Sequence, residues 1–385
     1  MGFRLLTPPE PLQIDPRSAH FEADLILLPR RPGIYLLELA DQEPYLGWSL
    51  SLQKRLTRLF LVAEGRIGPA ARVRDRVTAI RYWPTASRLE KWLTQYSLAR
   101  QIYPKEYKKR LKLRNPWFLS LLLEDPFPRI QVSTRIPAGA LTIGPFRTRE
   151  IADAFEQECS GLFQLRRCTE DLQPHAGHPG CIYGEMNLCL RPCQLAVSRE
   201  EYGSETARVS DFLLTGGQSL MSPLKSARDR ASEDMDFELA SRVHKQIDKL
   251  KGIAALRGDL IQAIEELHGV AVTRAESERA VKLWPMLAGF WQTPVRLDFA
   301  GVQEGRSMDN LLRESITSSA SAAQRDGRRV DDLSLLARWY YSSWRDGAWI
   351  PFSDPSKLNY RRLVKEISGL LKSGAEPAGG IPNPL

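Results

Sequence analysis

Four of the five cysteines fall in one short stretch, Cys168, Cys181, Cys189 and Cys193, in the pattern C-x12-C-x7-C-x3-C. Four thiols at such spacing suit a metal centre, because thiolates ligate both zinc and iron–sulfur clusters. The spacing does not choose between the two, and His175 and His178 within the stretch keep a zinc site open. Cys159 falls on an apolar helical pattern with Phe155 and Leu162, so it reads as core. The opening residues, MGFRLLTPPEPLQIDPR, are Pro-rich, carry acids and lack the apolar core of a signal peptide. A cytoplasmic protein is expected, and in that compartment disulfides are the poorer use for clustered thiols.

A second concentration is of positive charge. The net charge is +8, yet residues 1–120 alone hold 21 Lys+Arg against 11 Asp+Glu, an excess of +10. Part of it is a run in which Arg100, Lys105, Lys108, Lys109, Arg110, Lys112 and Arg114 face only Glu106. Such a run alone also describes a solvated helix face. With the regional excess it points to phosphate binding with counterion release, hence to nucleic acid. At 43% hydrophobic and 26% charged residues the composition is that of a globular chain with a real core. No apolar run approaches the roughly 18 residues of a membrane span, so no membrane partner is expected.

These groups need elements to hold them. GIYLLEL and EPYLGW, over residues 33–50, read as a hairpin turning at Ala40-Asp41-Gln42. Ser51 then caps a helix with Leu52, Leu56, Leu59 and Phe60 at helical spacing. Val77–Trp83 makes a third strand, and Ser87 caps a helix to about Ile102 with Glu90 in the capping-box position. Trp117–Leu123 and Arg129–Val132 read as a further strand pair. Residues 222–250 form a helical hairpin, with a cap at Ser222, Pro223 at the first helical position and a turn at Asp234-Met235-Asp236. Phe237, Ala240, Val243, Ile247 and Leu250 make one apolar stripe that a lone hairpin has no means to bury. Beyond residue 255 the pattern is mainly helical, with one strand-like stretch at Pro294–Phe299, a polar segment Ser315–Arg329 and an aromatic-rich helix Leu333–Trp344. Trp284, Trp291, Trp339, Trp344 and Trp349 read as core, and the Gly/Pro-rich tail Ser373–Leu385 as disordered.

Pro32-Gly33-Ile34-Tyr35 followed by Tyr45-Leu46-Gly47 resembles the signature of GIY-YIG nucleases, and Leu52–Leu56 resembles the helix that carries their catalytic arginine. The likeness continues through Gly144-Pro145-Phe146, Leu162–Cys168, Cys181 and Cys189-Leu190-Arg191-Pro192-Cys193, in the layout of the excinuclease C (UvrC-like) family. The 222–250 hairpin is similar to that family's UVR motif, in which Phe237-Glu238-Leu239-Ala240 is the more specific part. Residues 256–385 lack both acids placed on strands and a Gly-rich hairpin repeat, so the chain resembles the short, Cho-like relatives. The expected architecture is α+β and multidomain. It comprises a small mixed α/β GIY-YIG domain (28–115), a Cys-rich region (116–200), a UVR-type hairpin (205–255), a mainly helical region (256–372) and a tail (373–385).

The resemblance implies a DNA-repair function in nucleotide excision repair. Tyr35 and Tyr45 would bracket an attacking water, with Tyr45 preferred as base, and Arg55 would contact the phosphate. Cys168, Cys181, Cys189 and Cys193 would hold a 4Fe–4S cluster, with zinc as the alternative. Arg100, Lys105, Lys108, Lys109, Arg110 and Lys112 would meet damaged duplex DNA, and Phe237, Ala240 and Ile247 a UvrB-like subunit. Four positions depart from the family pattern. Its lysine is Trp48, its later tyrosine Leu59, its asparagine falls near Lys108, and its metal-binding glutamate is Gln95. An amide is a poor ligand for a hard cation such as Mg²⁺ or Mn²⁺. Glu90, five residues earlier, would point about 140° away on a helix. The two readings are therefore a metal-dependent endonuclease with a degenerate site and an inactive DNA-binding adaptor.

Overall fold

A computed structural model describes residues 9–61, 76–258, 260–299, 328–354 and 358–372. Most of the polar segment Ser315–Arg329 and all of the tail Ser373–Leu385 lie outside the described residues. The chain divides into two units. The first comprises Met1–Arg114, His268–Gln324 and Arg338–Leu385, the second Asn115–Leu267 and Arg325–Ala337. Among the described residues no helix is long and apolar enough to cross a membrane.

The first unit opens with β1 (Leu12–Ile14), α1 (Phe21–Leu27), β2 (Gly33–Leu39), β3 (Gln42–Ser49), α2 (Leu52–Phe60), β4 (Val77–Pro84), α3 (Arg88–Ile102) and the single turn α4 (Tyr107–Arg110). The strands form an antiparallel sheet in the order β1-β4-β2-β3, which leaves β3 at an edge. Alternation along β2 gives the sheet two apolar faces. Tyr35 and Leu37 pack with Leu52, Leu56 and Phe60 of α2, while Ile34 and Leu36 pack with Trp83 and with Leu98 of α3. Both helices start at the serines the sequence marks: Ser51 Oγ accepts from the Lys54 amide and Ser87 Oγ from the Glu90 amide.

The second unit holds β5 (Trp117–Leu121), β6 (Ile130–Ser133), β7 (Leu141–Phe146), α5 (Arg149–Ser160), the short turn α6 (Ile182–Glu185), α7 (Arg199–Leu214), α8 (Gln218–Glu233), α9 (Phe237–Arg257) and β8 (Gln262–Ala263). Its sheet runs β6-β5-β7-β8. One core joins the sheet (Leu119, Ile143), α5 (Phe155, Cys159), α7 (Tyr202, Val209, Phe212) and α9 (Val243, Ile247, Leu250). The Cys-rich stretch and the hairpin therefore share one hydrophobic core. The hairpin's first helix starts at Gln218 rather than at Ser222, so Pro223 lies inside it. Gly217, at φ +88°, reverses the chain early: its amide bonds to Phe212 O (2.8 Å), closing α7 and opening α8 at once.

The first unit continues with β9 (Gly269–Arg274), β10 (Ala280–Leu287), β11 (Phe290–Trp291), β12 (Val295–Asp298), α10 (Arg329–Tyr340, which enters this unit at Arg338), β13 (Gly347–Pro351) and α11 (Tyr360–Lys372). This corrects the expected mainly helical region, since β9–β13 build a five-stranded antiparallel sheet, β11-β10-β9-β13 with β12 beside β10. The physical reason is burial on both faces: GVAVTR and AVKLWPML are almost continuously buried, so they lack the alternation that marks a half-buried strand. Trp284, Trp291, Trp339 and Trp349 are buried, as expected of core residues, while Trp344 is partly exposed.

Candidate functional site

Tyr35, Tyr45 and Arg55 come together on the α2 face of the first sheet. Tyr35 is 1% exposed, its ring centroid lies 6.2 Å from that of Tyr45, and its Oη accepts a hydrogen bond from Arg55 Nε at 3.1 Å. Gly47, opposite Tyr35 in the β2–β3 register, makes room for the ring, since a Cβ there would stand 2.4 Å from Tyr35 Cζ. Burial pushes the Tyr35 phenol up, the Arg55 hydrogen bond pulls it back, and Tyr45 adds to the rise. The hydrogen bond from Arg55 to Tyr35 in turn holds the guanidinium firmly charged. Tyr35 thus stays a neutral phenol that orients Arg55, whereas Tyr45 is exposed.

Gln95 is 9% exposed on α3, and its Oε1 is buried without a hydrogen-bond partner. Among the described residues no three His, Cys, Asp or Glu side chains converge on a point that could hold a metal ion. Glu90, five residues earlier on α3, is buried and committed elsewhere. It accepts from the Ala86 amide (2.7 Å) and forms an ion pair with Lys282 of β10, which also pairs with Glu276. Burial pushes the Glu90 carboxyl up and Lys282 pulls it back. Burial works against the Lys282 ammonium, yet the two carboxylates hold it above its usual value. The residues present around Gln95 do not fit a divalent metal ion.

In the basic run, Lys105, Lys108, Lys109, Arg110 and Lys112 are exposed and Arg100 is partly buried. Arg110 is engaged within the protein: it pairs with Glu43 and Glu106, and its guanidinium lies 3.9 Å from the Tyr103 ring centroid. Arg110 is itself exposed, so these ion pairs lie at the surface beside the neighbouring lysines.

Cys168, Cys181, Cys189 and Cys193 are all free thiols. Burial pushes the Cys189 and Cys193 thiols up, and among the described residues the four cysteines are not placed as a metal-holding group. Arg166 is the anchor of this region that sequence reasoning missed. It is buried, pairs with Asp125, donates to Phe127 O (2.8 Å) and Glu170 O (2.9 Å), and reaches Cys168 Sγ at 3.7 Å. Its backbone amide donates to Tyr202 Oη (2.8 Å). The signal was the pair Arg166-Arg167 directly before Cys168. Cys159 is buried in the core, and burial raises its thiol to about 12.

In the hairpin, Met235 turns the chain at φ +58° and Asp236 caps α9 by accepting from the Leu239 amide (2.9 Å). Phe237 is 72% exposed beside the exposed Met235 and Leu239, and Ala240 is partly exposed. Ile247 is fully buried with Val243 and Leu250 inside the unit's own core. This corrects two expectations. The lower stripe is covered by α5 and its neighbours, and Ile247 has no surface to offer a partner.

Residues 117–212 match the middle domain of the UvrC/Cho excinucleases. The UvrABC system protein C of Acetivibrio thermocellus is 24% identical over 90% of this chain and 56% of its own length. That of Haloarcula marismortui is 28% identical over 66% of this chain and 44% of its own, and that of Ruminiclostridium cellulolyticum 23% over 90% and 58%. The chain thus spans about half the length of the curated relatives it matches. No solved structure matches it. These similarities support the UvrC family for this chain.

Proposed function

We propose that this chain acts in nucleotide excision repair as a DNA-bound adaptor of the UvrC type, with a GIY-YIG-type domain that has lost its metal position. The observation that carries the reading is Gln95. Where the family resemblance asks for a carboxylate there is a buried amide, and the nearby Glu90 is tied to Lys282. The exposed lysines of residues 105–112 supply the attraction for DNA. The exposed tip of the hairpin, Phe237 with Ala240 at its side, supplies the contact for a UvrB-type subunit. Cys168, Cys181, Cys189 and Cys193 are the thiols we assign to a structural centre, a 4Fe–4S cluster with zinc as the alternative.

A second reading, a Mg²⁺- or Mn²⁺-dependent incision near a lesion in the short, Cho-like manner, is favoured by the Arg55–Tyr35 hydrogen bond beside Tyr45. That trio keeps a cation and two phenols where a phosphodiester would need them. Binding of a lesion-bearing duplex, measured in EDTA and in Mn²⁺ with and without the UvrB-type subunit, tests the adaptor reading. Equal affinity in both buffers, with Phe237→Asp losing the subunit but not the DNA, is the expected result. DNA binding that requires the metal ion would overturn it. Iron, sulfide and zinc contents of anaerobically purified protein test the centre, and absence of all three would remove it.

A further inference from the structure

The position at which the family resemblance asks for a lysine carries Trp48, and what surrounds it is a second arrangement, separate from the tyrosine site. Trp48 follows Gly47 on the edge strand β3. Because neighbouring residues on a strand point to opposite faces, Trp48 lies on the α3 side of the sheet and not on the Tyr35 side. The Lys91 ammonium of α3 stands 4.1 Å from the Trp48 ring centroid and 3.8 Å from that of Trp92. The Arg338 guanidinium stands 3.5 Å from the Trp92 centroid. Ring and cation therefore alternate in the order Trp48, Lys91, Trp92, Arg338, each pair within the roughly 6 Å at which a cation feels the ring quadrupole. Arg338 is fixed in turn by donating to Leu111 O (3.1 Å).

The C-terminal segment closes the arrangement on its other side. Asp346 accepts from Trp339 Nε1 (3.0 Å) and from the Arg88 amide at the start of α3, and the Arg88 guanidinium lies 5.2 Å from the Trp344 centroid. Two guanidiniums, Arg88 and Arg338, thus flank the rings, with the Lys91 amine between the indoles of Trp48 and Trp92 and the Asp346 carboxylate at the start of α3. Although Lys91 covers part of its ring, Trp48 remains 40% exposed. A large aromatic side chain that is held rigid by a cation and still meets solvent has surface to offer a flat ligand. The cations around it select an anionic one.

We propose that Trp48, backed by Lys91, Trp92 and Arg338, is a stacking platform for an unpaired base of single-stranded DNA, with the surrounding cations receiving the flanking phosphates. Every base presents a π-face, so such a platform needs no sequence preference, and a duplex whose bases are stacked on one another offers it nothing to bind. Charge complementarity favours this occupant, since the unit's N-terminal part carries the +10 excess. The proposal rests on the reading that the chain works on DNA, and it gives the unwound strand at a repair site a place distinct from the tyrosine site.

The test is equilibrium binding of the full chain to a labelled oligothymidylate of about 16 nucleotides and to a duplex of equal length, at one salt concentration. Trp48→Leu keeps apolar bulk over the Lys91 stem and removes the π-face. Trp48→Phe restores a ring. We expect Trp48→Leu to weaken the single strand about tenfold, the lower range of one base–aromatic stack, to leave the duplex unchanged, and Trp48→Phe to recover most of the loss. An unchanged affinity of Trp48→Leu for the single strand, or an equal loss on both DNAs, would overturn the platform. Wild-type binding to the duplex alone would overturn it too, and would leave the adaptor reading standing. Binding to neither DNA would end both.

Discussion

Replacing Gln95 with glutamate asks directly whether this position is a lost metal site. The side chain is 9% exposed and Oε1 has no hydrogen-bond partner, so Gln95→Glu puts a carboxyl of nearly the same shape where no donor meets its oxygen. Full burial shifts a carboxyl by as much as 3–5 pH units at about 1.4 kcal/mol each, and a site with some solvent contact takes roughly half, or about 2–4 kcal/mol lost at pH 7. The introduced group titrates higher in the folded than in the unfolded chain. The deficit is therefore full at neutral pH and shrinks as the pH falls toward about 4, where both states hold the proton. A divalent ion that binds only the folded state returns stability, about 2.7 kcal/mol at a hundred times its Kd. Urea unfolding at pH 7 in EDTA and in Mn²⁺ reads both numbers. The expected pattern is a destabilised variant in EDTA that recovers in Mn²⁺, beside a wild type indifferent to Mn²⁺. A variant as stable as wild type in EDTA and unmoved by Mn²⁺ would show that position 95 neither penalises a carboxylate nor holds a metal ion.

Other consequences are open to the same kind of measurement. Lys282→Met strands the buried Glu90 without its cation and should cost about 3 kcal/mol in urea unfolding, most of it recovered by adding Glu90→Gln. Ile247→Ala should cost about 2–4 kcal/mol, because it leaves a cavity in the second unit's core. Phe237→Asp, at an exposed tip, should change stability by less than about 0.5 kcal/mol while abolishing capture by a UvrB-type subunit. Burial, helped by repulsion from Arg338 and Arg88 and opposed by Asp346, lowers Lys91 to about 7. The unfolded chain then holds the extra proton from about pH 7 to about pH 10, so stability should rise over that window. Lys91→Met should flatten the rise and be more stable than wild type in urea unfolding at pH 7, and a variant no more stable than wild type would contradict this.

How much of this the residues announced depends on whether the signal was local. The β2–β3 hairpin and the serine caps of α2 and α3 follow from short-range patterns, and the structure has them; the nearness of Tyr35, Tyr45 and Arg55 was implied by the resemblance alone. The sheet β9–β13 was illegible because strands buried on both faces lose their alternation and read like buried helix. The helical hairpin was visible as a pair of helices. That its lower stripe packs on α5 was not, since nothing in residues 237–253 says which surface covers Ile247. Arg166, Lys91 and Lys282 escaped for the same reason. Their partners Asp125, Trp48 and Glu90 lie between 41 and 192 positions away in the chain, and charge or aromatic composition carries no record of such pairings.

Gln95 as the place of a lost metal ligand, in a protein that binds DNA, is a proposal. It meets its most direct test in incision of a lesion-bearing duplex with the UvrA- and UvrB-type partners and Mn²⁺, comparing wild type, Gln95→Glu and Gln95→Glu combined with Tyr45→Phe. The account predicts no cutting by wild type, cutting by Gln95→Glu, and loss of that cutting when Tyr45→Phe is added. Metal-dependent cutting by wild type that Tyr45→Phe abolishes would contradict it, and would mean that the site works without a carboxylate at position 95.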